Sequence, residues 1–360
     1  MLSDINSKVT ILIPALNPKN EFINYIKELI DNKFEHIIVI NDGSDENCNS
    51  IFEKIKQEKQ CKVITHQKNE GKGKALKDGL KYFNEHFKDD LGVITVDCDG
   101  QHLVKDVIKI AEEMSKRPNN MILGTRDFSE KNVPERSSFG NKVTSAVFKA
   151  FYGVKITDTQ TGLRGIPISL VKDFQNIQGN RYEYETNMLI YCIKEQIEIL
   201  EVPIKTIYIN ENSDSHFRPI RDSVIIYGRI LNSFLKYSAI SILSFIMDMI
   251  IFQIFILLVK IDINQAELII VATIFARIIS SLFNYTLNKK VAFQHNGKVV
   301  NTLIRYYSLC IIQMIVSAIT VALIYSITKW TEVGIKLVVD TILFIINYRI
   351  QKKWVFCTKK

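Results

Sequence analysis

Two carboxylates stand in the run Val96-Asp97-Cys98-Asp99-Gly100-Gln101-His102, directly after the apolar residues 92–96. If this run is extended, Asp97 and Asp99 project from the same side of the chain, because they are two positions apart. Two such carboxylates carry enough negative charge to hold Mg²⁺ or Mn²⁺ against a diphosphate. An isolated Asp-x-Asp is common by chance, but its position after an apolar strand favours a metal site.

A second run, Asn69-Glu70-Gly71-Lys72-Gly73-Lys74-Ala75, precedes a predicted helix. Glycines allow a backbone to approach a ligand closely, and lysines at a helix N-terminus favour a diphosphate. The run is not a P-loop, because the spacing and the final Lys-Ser/Thr pair are missing. A solvated loop is the alternative explanation. Lys72 is therefore a candidate for binding a diphosphate only when the other motifs are considered with it.

Two further motifs follow apolar runs: Pro14-Ala15-Leu16-Asn17 after the first, and Asn41-Asp42-Gly43-Ser44-Asp45 after the second. A carboxylate such as Asp42 at a strand end can accept hydrogen bonds from a nucleobase or a ribose. The alternative is a helix N-cap at Ser44 or Asp45.

Two arginines are candidates for holding a phosphate acceptor: Arg126 follows residues 121–124, and Arg136 opens the helical pattern 135–151. A phosphate is already a nucleophile at neutral pH, so the site needs cations to align two anions rather than a strong base. Arginine suits this task because its guanidinium donates bidentately. An ordinary surface arginine is the alternative for Arg136. In the helical pattern that opens at Arg181, we expect Glu183 or Glu185 to face the sugar, with a solvated face as the alternative.

The elements that must position these residues alternate between apolar runs and amphipathic patterns. Such alternation predicts a parallel sheet with helices on both faces, and ligands collect beyond the carboxyl ends of its strands. The predicted strands are 9–15, 36–41, 63–65 and 92–96, and the predicted helices are 20–29, 47–59 and 73–87.

The composition changes sharply after residue 236. A helix needs about 20 apolar residues to cross a bilayer, and four stretches in succession make buried helices of a soluble protein a poor alternative. We therefore predict a cytoplasmic catalytic domain at 1–217, an amphipathic interfacial helix at 218–236 and a four-helix membrane domain at 237–360. The predicted spans are 237–259, 267–287, 306–327 and 333–350.

Lysines and arginines lie in the loop between the second and third predicted spans and after the fourth, which places both termini in the cytoplasm by the positive-inside rule. The polar residues 1–8 do not resemble a signal peptide. The six cysteines form no Cys-x-x-Cys pair and fit reduced thiols. The formal charge of +8 over 360 residues fits an anionic membrane surface better than nucleic acid.

The membrane half contains a repeat. Asn284-Tyr285, Lys289-Lys290 and Phe293 recur as Asn347-Tyr348, Lys352-Lys353 and Phe356, at one offset of 347 − 284 = 63. The openings Phe234-Leu235-Lys236-Tyr237 and Leu303-Ile304-Arg305-Tyr306 match more weakly. A duplicated two-helix hairpin explains these matches, and common interfacial anchors are the alternative.

Several charged residues fall within the predicted spans, among them Asp248, Arg277 and Asp340, and charges are costly in lipid. We expect Asp248, Arg277 and Asp340 to face the bundle interior or water, and Asp248 to pair with Arg277.

As an ordered set, the soluble motifs resemble family 2 glycosyltransferases of the GT-A fold. The resemblance is closest to the dolichol-phosphate mannose synthase and polyprenyl-phosphate glucosyltransferase branch, and it covers residues 9–229. It extends through Gly124-Thr125-Arg126 and Asp158-Thr159-Gln160-Thr161-Gly162. Residues 234–356 resemble the GtrA-like membrane family. The expected fold class is therefore an α/β GT-A domain plus an all-α four-helix transmembrane domain.

The resemblance implies roles for individual residues. Asp42 would contact the base, and the wider nucleotide-sugar site would contain Pro14, Asn17, Asp42, Lys72 and Asp97. Mg²⁺ or Mn²⁺ would be held by Asp97, Asp99 and Gln101. Arg126 and Arg136 would hold the acceptor phosphate and, with Asp99, form the catalytic set. The chain departs from the family at Asn17-Pro18, where Asn-Glu is usual, and at Gly100, where a bulkier apolar residue is common.

The expected activity is inverting transfer of a hexose from a UDP- or GDP-linked donor to undecaprenyl or dolichyl phosphate. It would take place at the cytoplasmic face of the plasma membrane, in cell-envelope glycan or glycosylation pathways. A homo-oligomer is compatible with this hypothesis. One alternative is a processive polysaccharide synthase, whose Gln-x-x-Arg-Trp motif is matched only by the wrongly spaced Gln351-Lys352-Lys353-Trp354. The other is a flippase whose soluble half merely binds nucleotide-sugar.

Overall fold

A computed structural model of the chain describes residues 5–128, 133, 135–205, 219–258, 265–295, 297–328 and 330–357. The chain divides into two compact units, Met1–Ile230 and Leu231–Lys360.

Seven strands form one sheet in the first unit. They are β1 (Thr10–Ala15), β2 (His36–Asn41), β3 (Cys61–Thr65), β4 (Gly92–Thr95), β5 (Met121–Arg126), β6 (Arg164–Pro167) and β7 (Ile199–Ile204). Their order is β3-β2-β1-β4-β6-β5-β7. All neighbours are parallel except β6, which is antiparallel to β4 and β5. The four strands predicted from the alternating pattern are thus parallel, as expected, and the antiparallel β6 was not among the predicted strands.

Helices cover both faces of this sheet, as predicted. Ile11 and Ile13 of β1 point into one apolar cluster and Leu12 into another, because successive side chains of a strand alternate. The first cluster contains residues of α1 (Glu21–Asp31), α2 (Asn49–Lys56) and α4 (Val104–Lys116). The second contains residues of α3 (Lys72–His86), α5 (Glu135–Tyr152), α6 (Ile168–Gln175) and α7 (Glu183–Lys194).

The motifs meet at one edge of the sheet. The parallel strands β1, β2, β4 and β5 all end there, and the antiparallel β6 begins there, with Arg164 paired to Thr95. The loop before β6 is held at this edge by an ion pair between Arg126 and Asp158. The chain therefore starts β6 at the carboxyl edge and runs back, which explains the direction of this strand.

The second unit is helical. Its elements are the C-terminal part of α8 (Pro219–Leu258), then α9 (Gln265–Leu287), α10 (Val299–Thr328) and α11 (Glu332–Ile350), with π-helical turns at Asn288–Ala292 and Gln351–Val355. The interfacial helix and the first span, predicted as separate segments, are one continuous helix, α8. Among the described residues, three helical segments are long and apolar enough to cross a membrane: Val224–Leu258, Leu268–Ala292 and Val299–Thr328. Helix α11 carries Lys336, Asp340 and Arg349, and its membrane crossing stays a prediction.

The structure supports the duplicated hairpin. The two π-helical turns begin at residues 288 and 351, and 351 − 288 = 63, the offset of the sequence repeat. The Tyr306 hydroxyl donates to Asn284 Oδ1 at 2.9 Å, and Asn347 Nδ2 donates to the Tyr237 hydroxyl at 3.3 Å. Each hairpin thus gives its tyrosine to the asparagine of the other, as across a two-fold axis.

The intramembrane charges behave differently from one another. Asp248 is 13% exposed, accepts a hydrogen bond from Ser280 Oγ at 2.7 Å and lies 3.5 Å from Arg277 NH2. The expected pair is therefore formed, but the Arg277 side chain is 70% exposed rather than inside the bundle. Asp340 is half-exposed and contacts Lys336 at 2.8 Å and Ser317 at 2.5 Å.

Candidate active site

Asp97 lies at the carboxyl end of β4 and is paired within the protein. Its Oδ1 is 2.7 Å from Lys72 Nζ, and its Oδ2 is 3.6 Å from His102 Nε2. Burial by itself would raise the pKa of Asp97, but the Lys72 ammonium and His102 outweigh burial and hold that pKa far below its usual range. Asp97 is thus a carboxylate at any physiological pH.

Asp99 has a different environment. It reaches solvent, and its Oδ1 accepts a hydrogen bond from the Gln101 backbone N–H at 3.0 Å. Enclosure by the surrounding protein, followed by the charge of Asp97, raises the pKa of Asp99. The two carboxylates therefore sense each other, and Asp99 carries charge that the protein compensates only in part.

Lys72 is the first residue of α3 and has a second anionic partner. Its Nζ lies 3.1 Å from Glu185 Oε1 on α7. Burial would lower the pKa of Lys72, but Asp97 and Glu185 together raise it above its ordinary value. Of the two glutamates considered from the sequence, Glu185 faces the site. Glu183 instead accepts hydrogen bonds from backbone N–H groups at the start of its own helix.

The glycines on either side of Lys72, Gly71 and Gly73, allow another segment of the protein to pack closely against them. A Cβ on Gly71 would lie 2.4 Å from the Asn180 carbonyl oxygen, and one on Gly73 would lie 2.5 Å from Tyr184 Cβ. Gly71 also has φ +103°, which disfavours other residues. The start of α3 thus packs against residues 180–184. This contact accounts for the glycines without the ligand approach that the sequence suggested.

Asp42 is buried and holds the loop that leads to Lys72. Its Oδ1 accepts from the Glu70 N–H at 2.9 Å and lies 2.8 Å from His66 Nδ1, while its Oδ2 accepts from the Gly71 N–H at 2.8 Å. This network gives Asp42 a structural role. The contact with a nucleotide base stays a prediction.

Asn17 connects the first two motifs. Its Nδ2 donates to Asp45 Oδ2 at 2.9 Å, and its Oδ1 accepts from the Asp45 N–H at 2.8 Å. Asn17 has φ +51°, a left-handed conformation that asparagine tolerates. Pro14 lies inside β1 and is buried. The contacts of both residues with a nucleotide stay predictions.

Arg126 ends β5 and is bound to Asp158, a fully buried residue. Its Nε lies 2.6 Å from Asp158 Oδ2, and its NH2 lies 2.9 Å from Oδ1. The backbone of Arg136 lies in α5, but its side chain is outside the described residues. The acceptor role of both arginines stays a prediction.

Two residues near the Asp97–Lys72–Glu185 cluster had no individual role in the sequence analysis, Gly162 and Arg164. A Cβ on Gly162 would lie 2.2 Å from Asp97 Oδ2, so only glycine leaves space for this carboxylate. Arg164 is 1% exposed and donates to the Thr161 carbonyl at 2.9 Å and to the Glu185 carbonyl at 2.6 Å. An arginine in the apolar run 163–167 was an available signal, because a buried charge requires partners.

Asp97, Asp99 and Gln101 offer the hard oxygen ligands that suit Mg²⁺ or Mn²⁺. Within the described ranges, no group of three or more His, Cys, Asp or Glu side chains is placed to hold a metal ion. Two carboxylates leave coordination positions for phosphate oxygens and water, which is how Mg²⁺ is commonly bound beside a nucleotide. The residues therefore fit an ion that arrives together with a diphosphate.

Comparisons with known proteins agree with this architecture. Residues 10–173 match the family model "Glycosyl transferase family 2", and residues 236–356 match "GtrA/DPMS, transmembrane domain". The chain is 30% identical over 217 residues to a UDP-N-acetylglucosamine–dolichyl-phosphate N-acetylglucosaminyltransferase of Methanococcus voltae, covering 56% of this chain and 86% of that protein. It is 24% identical over 231 residues to a dolichyl-phosphate beta-glucosyltransferase of Saccharomyces cerevisiae, covering 54% and 66%.

One similar solved structure is glucosyl-3-phosphoglycerate synthase from Mycobacterium tuberculosis in complex with Mn²⁺, UDP and glucosyl-3-phosphoglycerate. It has a TM-score of 0.45 and 14% identity, covering 64% of this chain and 82% of that chain. The family matches, the relative at 30% identity and the three apolar helical segments lead to one conclusion. The chain belongs to glycosyl transferase family 2, carries a C-terminal GtrA/DPMS transmembrane domain, and is a membrane-associated glycosyltransferase.

Proposed function

We propose that this glycosyltransferase moves a hexose from a UDP- or GDP-linked donor to undecaprenyl or dolichyl phosphate at the cytoplasmic face of the plasma membrane. The observation that carries the proposal is the ion pair of Lys72 with Asp97, two residues before Asp99, at the carboxyl edge of the sheet. A cation and two carboxylates there suit a metal-bound diphosphate. The dolichyl-phosphate acceptors in the names of two relatives support the lipid.

The proposed step is a single displacement. An acceptor phosphate oxygen forms a bond to the anomeric carbon while the bond from that carbon to the donor diphosphate breaks. The electron pair leaves with the nucleoside diphosphate, and the configuration at the anomeric carbon inverts. The acceptor is anionic at neutral pH, so no residue has to remove a proton.

The proposed roles follow from position in the site. Asp97, Asp99 and Gln101 would hold a divalent cation, which supplies neutralisation of charge on the leaving diphosphate. Lys72 would contact the same diphosphate, and the nucleoside would lie near Pro14, Asn17 and Asp42. Arg126 and Arg136 would align the acceptor. A phosphate bound at Arg126 would have to share its guanidinium with Asp158.

The test uses the purified full chain in detergent with a panel of radiolabelled nucleotide-sugars and either polyprenyl phosphate. We expect one donor to give an organic-soluble, acid-labile product, and EDTA to stop its formation. The anomeric coupling constant of the product should show the configuration opposite to that of the donor. Label in a water-soluble polymer would instead favour a processive synthase. Absence of a lipid product with every donor would refute the proposed acceptor.

A further inference from the structure

The Lys72 ammonium lies between the carboxylates of Asp97 and Glu185. Its Nζ is 2.7 Å from Asp97 Oδ1 and 3.1 Å from Glu185 Oε1. The exposed fractions of the three side chains are 17% for Lys72, 28% for Asp97 and 8% for Glu185. Little solvent screens these contacts, so the distances among the three side chains determine the strength of their electrostatic interactions.

Under the proposed function, Asp97 is also a ligand of the divalent cation. An ammonium and a metal ion that both contact Asp97 compete for its oxygens. A metal ion on Asp97 also repels the Lys72 ammonium, so metal binding weakens the ion pair of Lys72 with Asp97. An ammonium without another anionic partner would lose a largely buried ion pair at that moment, which opposes metal binding.

Glu185 is placed and fixed to accept this ammonium. Its backbone carbonyl accepts a hydrogen bond from Arg164 NH1 at 2.6 Å, and Arg164 Nε lies 3.9 Å from its Oε1. Arg164 is itself anchored to the Thr161 carbonyl at 2.9 Å. Lys72, by contrast, has a flexible four-carbon stem. The main chain of Glu185 is therefore anchored beside the site, whereas rotation about the bonds of the Lys72 side chain can bring its ammonium closer to either carboxylate.

We propose that Glu185 is a positioning residue that takes over the Lys72 ammonium when a divalent cation binds Asp97 and Asp99, and thereby sets the affinity for the metal. This inference rests on the proposed function only in placing the metal at these two aspartates. It gives Glu185 the role of pairing with the Lys72 ammonium when the metal is bound, and not the role of contacting the sugar.

The test measures Mn²⁺ binding directly, by electron paramagnetic resonance of free Mn²⁺. The full chain is titrated with MnCl₂ in detergent, without nucleotide or lipid. E185Q should weaken binding roughly tenfold, and K72M should tighten it, because the competing ammonium is gone. In a K72M background, the effect of E185Q should be at least about fivefold smaller than in the wild type, since residues in contact are coupled.

Two controls accompany this double-mutant cycle of E185Q and K72M. E183Q, two residues earlier on the same helix, removes a charge that accepts hydrogen bonds from the backbone N–H groups of Asn180 and Arg181, and Mn²⁺ binding should stay as in the wild type. If E185Q does not fold, E185D replaces it, because it keeps the charge but withdraws the carboxylate by one methylene. Weakened Mn²⁺ binding by E185D supports the proposal, and unchanged binding overturns it.

Two results of the cycle would overturn the inference. Equal fold-changes from E185Q in both backgrounds would mean that Glu185 attracts the metal by its charge alone. Unchanged or weaker binding by K72M would mean that Lys72 does not compete. A wild-type chain that binds no Mn²⁺ would refute the metal site of the proposed function itself. If the E185Q and K72M effects on Mn²⁺ binding are coupled but the protein transfers no sugar to lipid, the role of Glu185 stands and only the proposed acceptor is refuted.

Discussion

Gly162 touches Asp97 so closely that replacing it with alanine should disable the site. The added Cβ would lie 2.2 Å from Asp97 Oδ2, whereas ordinary contact begins near 3.4 Å, so the carboxylate must shift by about 1.2 Å. The backbone of Gly162 is not in the left-handed region. The expected effect is therefore steric and does not arise from strain in the main chain.

The magnitude follows from the Lys72 pair. If the 2.7 Å separation of Lys72 Nζ and Asp97 Oδ1 lengthens by that shift, the attraction weakens by about 2 kcal/mol at an effective dielectric constant of about 20. A catalytic group misplaced by about 1 Å can lower the rate roughly a hundredfold. We therefore expect G162A to lower kcat/KM for the nucleotide-sugar about a hundredfold, with overpacking that destabilises the fold by about 1–3 kcal/mol.

Steady-state transfer at saturating lipid, together with thermal unfolding in detergent, measures both effects. Gly140 provides a matched control. It lies in α5, and a Cβ there would meet nothing closer than 3.8 Å, so G140A should keep both activity and thermal stability. If G162A transfers sugar at the wild-type rate, Asp97 either moves without consequence or does not act in transfer, and the steric reasoning fails.

Other variants test the remaining parts of the enzyme. D99A should abolish transfer while thermal unfolding and membrane insertion stay normal, and excess EDTA should mimic it; transfer that persists in chelator would remove the metal from the mechanism. R126A and R136A should each lower kcat/KM for the lipid by roughly ten- to a hundredfold, the loss of a charge-assisted phosphate contact of about 1.5–3 kcal/mol. Lysine replacements should recover only part of this loss; equal loss of donor binding would move these arginines to the nucleotide. R126A should in addition lower thermal stability, because it leaves the buried Asp158 without its ion-pair partner. D248N and R277Q should each lower the thermal stability of the protein in detergent, and the double variant should lower it by less than the sum of the two single effects. Strictly additive shifts would count against the pair.

The sequence predicted that the motifs follow strands, and the parallel strands β1, β2 and β4 bring these motifs to one edge of the sheet. It did not predict the direction of β6, whose preceding loop is held by the contact of Asp158 with Arg126, 32 positions away. Nor did it explain Gly71 and Gly73, whose neighbours at residues 180–184 are more than a hundred positions away. Contacts this remote leave no local pattern in either partner.

Other differences could have been anticipated. Helical periodicity alone cannot choose between Glu183 and Glu185, because only the position of Lys72 on α3 decides which carboxylate is buried. The continuity of α8, however, was visible in principle. The change in hydropathy near residue 236 suggested two segments, yet no proline or glycine interrupts residues 229–258. A change in polarity marks a change in environment, and it does not end a helix.

The crossed contacts of the membrane unit show how such a duplication can be stabilising. A single hairpin carries both partners, Tyr237 and Asn284, so two separate copies could satisfy each other in the manner seen here. Joining them in one chain replaces an association that depends on protein concentration by one with an effective concentration set by the linker.

The linkage also frees the two hairpins to diverge in charge. By the offsets of the repeat, 306 − 237 = 69 and 347 − 284 = 63, Asp248 corresponds to Ser317 and Arg277 corresponds to Asp340. Both pairs of positions are in contact, at 3.5 Å in the first hairpin and 2.5 Å in the second. A homodimer must carry every charge twice, whereas this fused pair places a cation on one side of its pseudo-axis and an anion on the other.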